Sequence, residues 1–368
     1  MRPGMSLSVG IVGLPNVGKS TVFNALTAGK AEAANYPFCT IDPNVGIVPV
    51  PDGRLERIKK YIPPQKMIPA VVEIVDIAGL VKGASQGEGL GNKFLANIRE
   101  TSAVLMMVRC FLDPNVVHVA GSVDPDRDIE IIDLELVLAD LDTAEKRLKK
   151  AQGAAKTGNK DGKAELALVE RVVAHLQTGK PGRSLEVSDD ERKELGTWGL
   201  MTTKPVLYCC NVGEEDLPAG NAWSEAVKQR AATEGAGIVV LCGKIEAELA
   251  GMSDDEKQEL LSSYGLTEPA LSSLARECYR LLGLQSYFTA GEKEIRAWTI
   301  RKGALAPEAA GVIHTDFEKG FIRANVYTLA DLEQYGSEAA LRAAGKLRQE
   351  GKTYVVQDGD IMHFLFNV

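Results

Sequence analysis

Residues Gly13 to Ser20 read GLPNVGKS and form an unbroken GxxxxGK[ST] pattern. Residues 7–12 before it have the apolar character of a strand, and residues 21–26 after it have that of a helix. A phosphate-binding loop needs this setting, because its backbone N–H groups and the helix N-terminus face the phosphates. The alternative is a glycine turn that binds nothing. We predict that this segment binds a nucleotide through Asn16, Val17, Gly18, Lys19, Ser20 and Thr21.

Within this loop, Lys19 is expected to reach the outer phosphates and Ser20 to offer its hydroxyl to Mg²⁺. A second motif, Asp76-Ile77-Ala78-Gly79, follows an apolar run. A carboxylate at a strand end can hold Mg²⁺ through water, and the N–H of Gly79 can meet a γ-phosphate. Between the motifs lies a proline-bounded stretch, 35–44, in which Thr40 is the candidate second hydroxyl ligand of Mg²⁺. An ordinary loop is the alternative for that stretch.

Two features depart from the usual plan of a GTP-binding protein. Leu80 occupies the position after Gly79 where many such proteins have a glutamine that orients water. Asn211-Val212-Gly213-Glu214 stands where Asn-Lys-x-Asp would read guanine, so the lysine is Val212 and the carboxylate is carried by the longer Glu214. A site that lacks the carboxylate contact with the two N–H groups of guanine discriminates less well between guanine and other bases. We therefore predict weak guanine selectivity, with Asn211 able to serve the N6/N7 edge of adenine.

The composition of the 368-residue chain limits its class. Its 45% hydrophobic content fits a globular protein of two or three domains, and its net charge of −8 gives no global basic field for nucleic acid. Six cysteines without CxxC spacing fit a reducing compartment. We see no signal peptide and no apolar run of the roughly 20 residues that a membrane span needs. We expect a cytoplasmic protein without membrane contact.

Strand-like apolar runs alternate with helical stretches at 7–12, 45–50, 71–77, 103–110, 205–211 and 237–242. Such buried runs predict an α/β fold with a doubly wound, mostly parallel sheet. Apolar residues at helical spacing in 129–152 and 163–177 predict an inserted antiparallel helical hairpin. After residue 284 the pattern becomes that of a small α+β module. We predict a nucleotide-binding domain in two parts, 1–127 and 203–283, an inserted helical domain at 128–202, and a C-terminal domain at 284–368.

The joint of the predicted hairpin is basic. Between residues 146 and 163, Asp161 is the single acidic residue among Lys146, Arg147, Lys149, Lys150, Lys156, Lys160 and Lys163. One interpretation is a solvated helix end, and the other is a contact with RNA or a ribosome. The sequence leaves both open.

The segments 13–21, 35–44, 76–84 and 211–214 together resemble the YchF subfamily of Obg-like P-loop ATPases, over essentially the whole chain. The resemblance implies a nucleotide domain, a coiled-coil hairpin and a C-terminal TGS domain of ubiquitin-like shape. It also implies preference for ATP over GTP, slow hydrolysis and association with the large or small ribosomal subunit. RNA contact through the hairpin tip and the TGS domain, and a monomeric state, are expected with it.

The resemblance also implies a catalytic histidine in a mobile loop after the fourth strand, and residues 109–119 match that segment. His118 is therefore the residue carried over, acting with Lys19 and Gly79. A lone histidine between valines is more often structural, but Leu80 leaves the attacking water without its usual partner. Family members need K⁺, and Asn16 matches the loop asparagine that is linked to K⁺.

Three functions are compatible with these residues. The first is a Mg²⁺-dependent nucleoside triphosphatase whose hydrolysis resets a conformational switch. The second is a static ATP-binding protein that holds a ribosomal or RNA partner, and the third, weaker one is a GTPase regulator. The intact set of Lys19, Ser20, Asp76 and Gly79 favours retained chemistry.

Overall fold

The computed structural model describes residues 7–28, 44–77, 90–156 and 160–367. Within these ranges, 7–28, 44–46, 73–77, 90–156 and 160–274 form a first compact unit, and 47–72 with 275–367 form a second. The strands are β1 (Ser8–Val12), β2 (Val45–Pro49), β3 (Lys66–Ile68), β4 (Val71–Asp76), β5 (Ala103–Cys110), β6 (Val206–Val212), β7 (Gly237–Leu241), β8 (Leu284–Ala290), β9 (Glu294–Arg301), β10 (Phe321–Tyr327), β11 (Arg348–Glu350) and β12 (Ile361–Phe366).

Helices separate these strands. They are α1 (Lys19–Ala28), α2 (Gly53–Lys59), α3 (Leu90–Glu100), α4 (Pro125–Ala155), α5 (Lys160–Gln177), α6 (Asp189–Leu195), α7 (Ala222–Glu234), α8 (Gly243–Leu249), α9 (Asp254–Ser263), α10 (Ala270–Leu281), α11 (Ala306–Ile313), α12 (Thr315–Lys319), α13 (Leu329–Tyr335) and α14 (Glu338–Ala343). No helix in the part of the chain that the structure describes is both long and apolar enough to cross a membrane.

The first sheet has the strand order β2-β4-β1-β5-β6-β7. From β4 to β7 all neighbours are parallel, and every residue of β1, β5 and β6 is buried. The continuous apolar runs of the sequence form these central strands because a parallel sheet covered on both faces leaves no polar side. The predicted doubly wound α/β fold is confirmed.

The inserted segment is an antiparallel pair of helices, α4 and α5. Asp124 caps α4 by accepting from the backbone N–H of Arg127, and Pro125 follows it at a position where proline suits a helix start. Across the pair, Arg147 lies 2.7 Å from Glu165. Asp140 is fully buried in α4 and accepts from the backbone N–H groups of Met201 and Thr202 at 2.9 and 2.7 Å. These bonds fix the base of the hairpin beside the segment that leads into β6.

The second unit contains a sheet of order β11-β10-β12-β8-β9-β3. The β8–β9 hairpin is antiparallel, β12 lies parallel to β8 and antiparallel to β10, and α11 packs on one face. This arrangement is the α+β module that the sequence pattern predicts after residue 284, and its topology agrees with the ubiquitin-like shape that the family resemblance implies.

One strand of that sheet comes from the N-terminal part of the chain. β3 pairs in parallel with β9, and α2 packs against β9 and α13. Arg54 of α2 lies 2.9 Å from Asp358, and Arg57 lies 2.7 Å from Glu333. Residues 47–72 therefore fold with the C-terminal module, an arrangement that the sequence analysis does not foresee.

Candidate functional site

The loop between β1 and α1 has the geometry of a phosphate cradle. Asn16 and Gly18 both have left-handed backbones, with φ of 63° and 98°. A Cβ on Gly18 would collide with Nδ2 of Asn211, and one on Gly13 would lie 2.7 Å from the carbonyl oxygen of Met107. Both glycines are thus required by close approach, and Gly18 is also required by its left-handed backbone.

Lys19 is the buried cation of this loop. Its Nζ donates to the carbonyl oxygens of Gly13 and Leu14, each at 2.9 Å. Burial lowers the pKa of Lys19, and the nearby carboxylate of Asp76 opposes that shift. Burial likewise raises the pKa of Asp76 against the effect of Lys19. The ammonium is therefore held at the phosphate loop, bonded to groups that a phosphate can replace.

A pocket of about 680 Å³ opens beside the loop. The predicted residues that line it are Asn16, Gly18, Lys19, Ser20, Thr21 and Asn211. The side chain of Val17, which is also a predicted binding residue, is buried and does not line the pocket. The structure thus brings the loop residues and Asn211 together, although they are far apart in sequence. Thr40, Gly79 and Leu80 lie outside the described residues.

The oxygen donors Ser20 and Asp76 fit a magnesium ion. Mg²⁺ takes hard oxygen ligands and is usually held by one or two protein groups together with substrate phosphates. Ser20 is exposed in the pocket at the first turn of α1, and Asp76 ends β4 as a half-buried carboxylate whose burial disfavours its charge. A cation near Asp76 would relieve that cost. No preformed cluster of three or more His, Cys, Asp or Glu ligands exists among the described residues.

Asn211 joins the phosphate loop to the loop that starts α8. Its Nδ2 donates to the carbonyl oxygen of Val17 at 3.0 Å, and its Oδ1 accepts from the N–H of Gly243 at 2.8 Å. The side chain is buried, so both ends of its amide already have a backbone partner. This geometry favours a positioning role for Asn211 over reading the edge of adenine.

The two other residues of the base-reading motif lie in different surroundings. Val212 is buried at the end of β6. Glu214 follows it on the surface, hydrogen-bonded to Lys244 at Oε1 and to the hydroxyl of Tyr264 at Oε2, the latter at 3.2 Å. The hydrogen bond from Lys244 lowers the pKa of Glu214 and raises that of Lys244. Glu214 is therefore a partnered carboxylate.

His118 is buried, and the partners of both its ring nitrogens lie outside the residues that line the phosphate pocket. Its Nε2 lies 2.8 Å from Oδ2 of Asp128, in the first turn of α4, and its Nδ1 accepts from the N–H of Ala120 at 3.1 Å. His118 does not line the pocket, although its neighbour Val116 does. In this conformation the structure does not bring His118 together with Lys19 and Ser20.

Arg109 also contacts the candidate site, although no motif in the sequence indicates it. It is almost fully buried at the end of β5. Its guanidinium donates to the carbonyl oxygens of Phe111 at 3.2 Å, Val116 at 2.9 Å and Asn16 at 3.5 Å. Asn16 adds a bond from Nδ2 to the carbonyl oxygen of Val117 at 3.1 Å. The signal in the sequence is that a charged residue, Arg109, lies next to the end of an otherwise apolar strand.

These features define a class of protein, a P-loop nucleoside triphosphatase with an inserted helical hairpin and a ubiquitin-like C-terminal module. The model described as "50S ribosome-binding GTPase" matches residues 8–146. The model of the C-terminal domain of YchF GTPases, described as "Protein of unknown function (DUF933)", matches residues 284–367.

Similar proteins narrow the class to one family. The chain is 53% identical over 364 residues to "Ribosome-binding ATPase YchF" of Haemophilus ducreyi, and 51% identical over 366 residues to the protein of that name from Bacillus subtilis. Each match covers 99% of this chain and 100% of the relative. The structure of the Schizosaccharomyces pombe YchF GTPase matches with a TM-score of 0.88 and 40% identity, covering 99% of both chains. The chain belongs to the YchF family of nucleotide hydrolases.

Proposed function

We propose that this protein is a Mg²⁺-dependent ATPase that acts as a conformational switch on the ribosome. The observation that carries the proposal is the pocket beside the phosphate loop. Lys19 and Ser20 line it, and Asp76 is close enough to Lys19 to shift its pKa. These are the positioning and charge-neutralising groups that phosphoryl transfer requires. Ser20, Thr40 and Asp76 are the proposed Mg²⁺ ligands, and Lys19 with the N–H of Gly79 the proposed γ-phosphate contacts.

We propose that K⁺ is a second cofactor held through Asn16. The support is the exposed, left-handed position of Asn16 at the rim of the pocket. Its Nδ2 contacts the carbonyl oxygen of Val117, so the same side chain can link a cation site to the segment that carries His118.

ATP is the proposed nucleotide, with GTP used less well. Val212 is buried and supplies no lysine stem over the base, and Glu214 already has two donors. The carboxylate of Glu214 is therefore not free to accept hydrogen bonds from guanine. The names of the relatives, which describe ribosome-binding ATPases, agree with this choice.

A ribosomal partner is supported by those names and by the basic end of the hairpin. Lys149, Lys150, Lys156 and Lys163 are exposed there, as a contact with RNA phosphates requires. We propose that the hairpin end and the C-terminal module bind ribosomal RNA or protein, and that the protein is a cytoplasmic monomer. The proposed functional segments are 1–127, 128–202, 203–283 and 284–368, with residues 47–72 of the first segment folding into the unit of the last.

Equilibrium binding of ATP and GTP with Mg²⁺, followed by single-turnover hydrolysis with and without ribosomes, tests the proposal. We expect ATP to bind at least as well as GTP and to be hydrolysed. Lys19→Ala should reduce turnover on the order of 100-fold or more, because it removes a charge from the phosphate site. Lys228→Ala, which changes an exposed lysine of α7, is the matched control. Binding without turnover under both conditions would favour the static ATP-binding protein, and strong GTP preference would favour a GTPase.

A further inference from the structure

Glu214, Lys244 and Tyr264 form a cluster at the end of the nucleotide pocket. Glu214 lies two residues after the end of β6, Lys244 lies in the first turn of α8, and Tyr264 follows the last residue of α9. Lys244 donates from Nζ to one carboxylate oxygen of Glu214, and the hydroxyl of Tyr264 donates to the other at 3.2 Å. Each oxygen of this carboxylate therefore has a donor from a different element.

The cluster borders a smaller pocket of about 220 Å³, which Glu214 and Lys244 line together with Val212. Phe111, Asn211 and Lys244 line both this pocket and the larger one that contains the phosphate loop. The two pockets are thus neighbouring parts of one cleft. Since the larger pocket holds the phosphate-binding residues, the smaller one is placed to receive the base.

A free carboxylate at Glu214 would distinguish guanine from adenine, because the two purines present different groups at positions 1 and 2. The Watson–Crick edge of guanine presents two adjacent N–H donors, at N1 and N2, which one carboxylate can accept together. Adenine presents an acceptor at N1 and a C–H group at position 2, so a free carboxylate placed for the N1 and N2 groups of guanine repels N1 of adenine and gains no N–H bond there. A site built to bond a substrate N–H discriminates strongly against the analogue that lacks it.

We propose that Lys244 and Tyr264 withhold the carboxylate of Glu214 from the base, and that this cluster determines why the site does not select guanine. The inference rests on the proposed use of ATP and assigns its cause to two residues outside the motif at 211–214. Lys244 neutralises the charge that would repel N1 of adenine. Tyr264 fixes the second oxygen in the direction of α9. Glu214 is then a structural acceptor and not a base reader.

The test is the ratio of GTP to ATP affinity, measured by competition with a fluorescent nucleotide in Mg²⁺ buffer. In Lys244→Ala we expect this ratio to rise at least about 10-fold, mainly through tighter GTP binding. The side chain of Lys244 is 69% exposed, so its truncation leaves the fold intact. Tyr264→Phe should shift the ratio in the same direction by less. Adding Glu214→Gln to Lys244→Ala should return the ratio to near the wild-type value, and Lys228→Ala should not change it.

An unchanged ratio in folded Lys244→Ala would overturn the inference. An equal loss of both nucleotides would also overturn it, because Lys244 would then bind a group that ATP and GTP share. The proposed ATPase activity and the role of the cluster can be refuted separately. A wild-type protein that strongly prefers GTP refutes the proposed ATPase, whereas wild-type ATP preference with an unmoved ratio in the variant refutes the role of the cluster alone.

Discussion

His118 has a hydrogen-bond partner at each ring nitrogen. Because Nδ1 accepts the N–H of Ala120, the ring proton lies on Nε2 and is donated to Asp128. Asp128 is itself buried and also accepts from Arg127. To meet an attacking water, the imidazole must leave this pair and turn toward the phosphate pocket. The carboxylate thereby sets the resting position of the ring.

We predict that His118→Ala lowers the hydrolysis rate at least ~10-fold, about 1.4 kcal/mol of barrier, while ATP affinity changes little. The side chain of Leu80 has no polar group, so the imidazole of His118 is the group that we propose to orient the water. Single-turnover kinetics and equilibrium binding measure the two quantities. His175→Ala is the matched control, because that ring bonds Ser184 beside α5. Normal turnover in His118→Ala would leave the residue a structural partner of Asp128.

The segment that joins β5 to α4 is fixed by hydrogen bonds at several points. Arg109 binds the carbonyl oxygens of Phe111 and Val116, stacks on the ring of Phe111 at 4.5 Å, and Asn16 binds Val117. Asn16 belongs to the phosphate loop, so its hydrogen bond connects that loop to the segment that carries His118. A buried guanidinium that loses its hydrogen-bond partners costs free energy. This cost opposes movement of the segment away from Arg109.

Arg109→Met should release residues 111–119 and lower hydrolysis more than ATP affinity. Arg109→Lys should restore only part of the rate, since one ammonium does not match the geometry of a guanidinium that reaches several carbonyl groups. Hydrogen exchange of the amides at 112–119, together with single-turnover rates, measures both effects. Arg280→Met in α10, an exposed position paired with Glu277, is the control. Unchanged exchange in Arg109→Met would show that the segment is held without the guanidinium.

The parts of the site that lie within one short segment of the chain were predictable from the sequence. The loop at 13–20 lies in one segment, and its glycines are explained by backbone angles and close approach. The strands β5 and β6 were predictable because burial on both faces makes their residues uniformly apolar. Arg109 and the amide of Asn211 were not, because their roles depend on Asn16, Val17 and Gly243, which only the fold brings near.

The placement of residues 47–72 was also not predictable, because it depends on contacts with residues that are distant in sequence. Nothing local in Lys66–Ile68 indicates that it pairs with β9, since the partner strand begins at Glu294. The contacts of α2 with the C-terminal module are ion pairs of Arg54 and Arg57 with distant acids. The sequence indicates a C-terminal module but not that it includes a piece of the N-terminal region.

We predict that Ile58→Ala loosens the second unit although residue 58 lies in the N-terminal sixth of the chain. Ile58 is fully buried in α2, and removing such a side chain costs about 2–5 kcal/mol. Native-state hydrogen exchange should accelerate in β8, β9 and β12 more than in β5 and β6. Ile132→Ala, at a buried position of α4, is the comparison and should affect the first unit instead. Equal acceleration in both units by Ile58→Ala would contradict the assignment.

The pairing of β3 with β9 has a consequence for how the protein is made. A ribosome completes β3 long before it reaches β9, and at about 5–20 residues per second the delay is on the order of ten seconds or more. During that interval Lys66–Ile68 has no partner strand and Ile58 has no core to enter. The second unit can therefore close only when nearly the last residue has been added. Nascent chains stalled before residue 284 should leave 47–72 open to proteases, and full-length released chains should protect it.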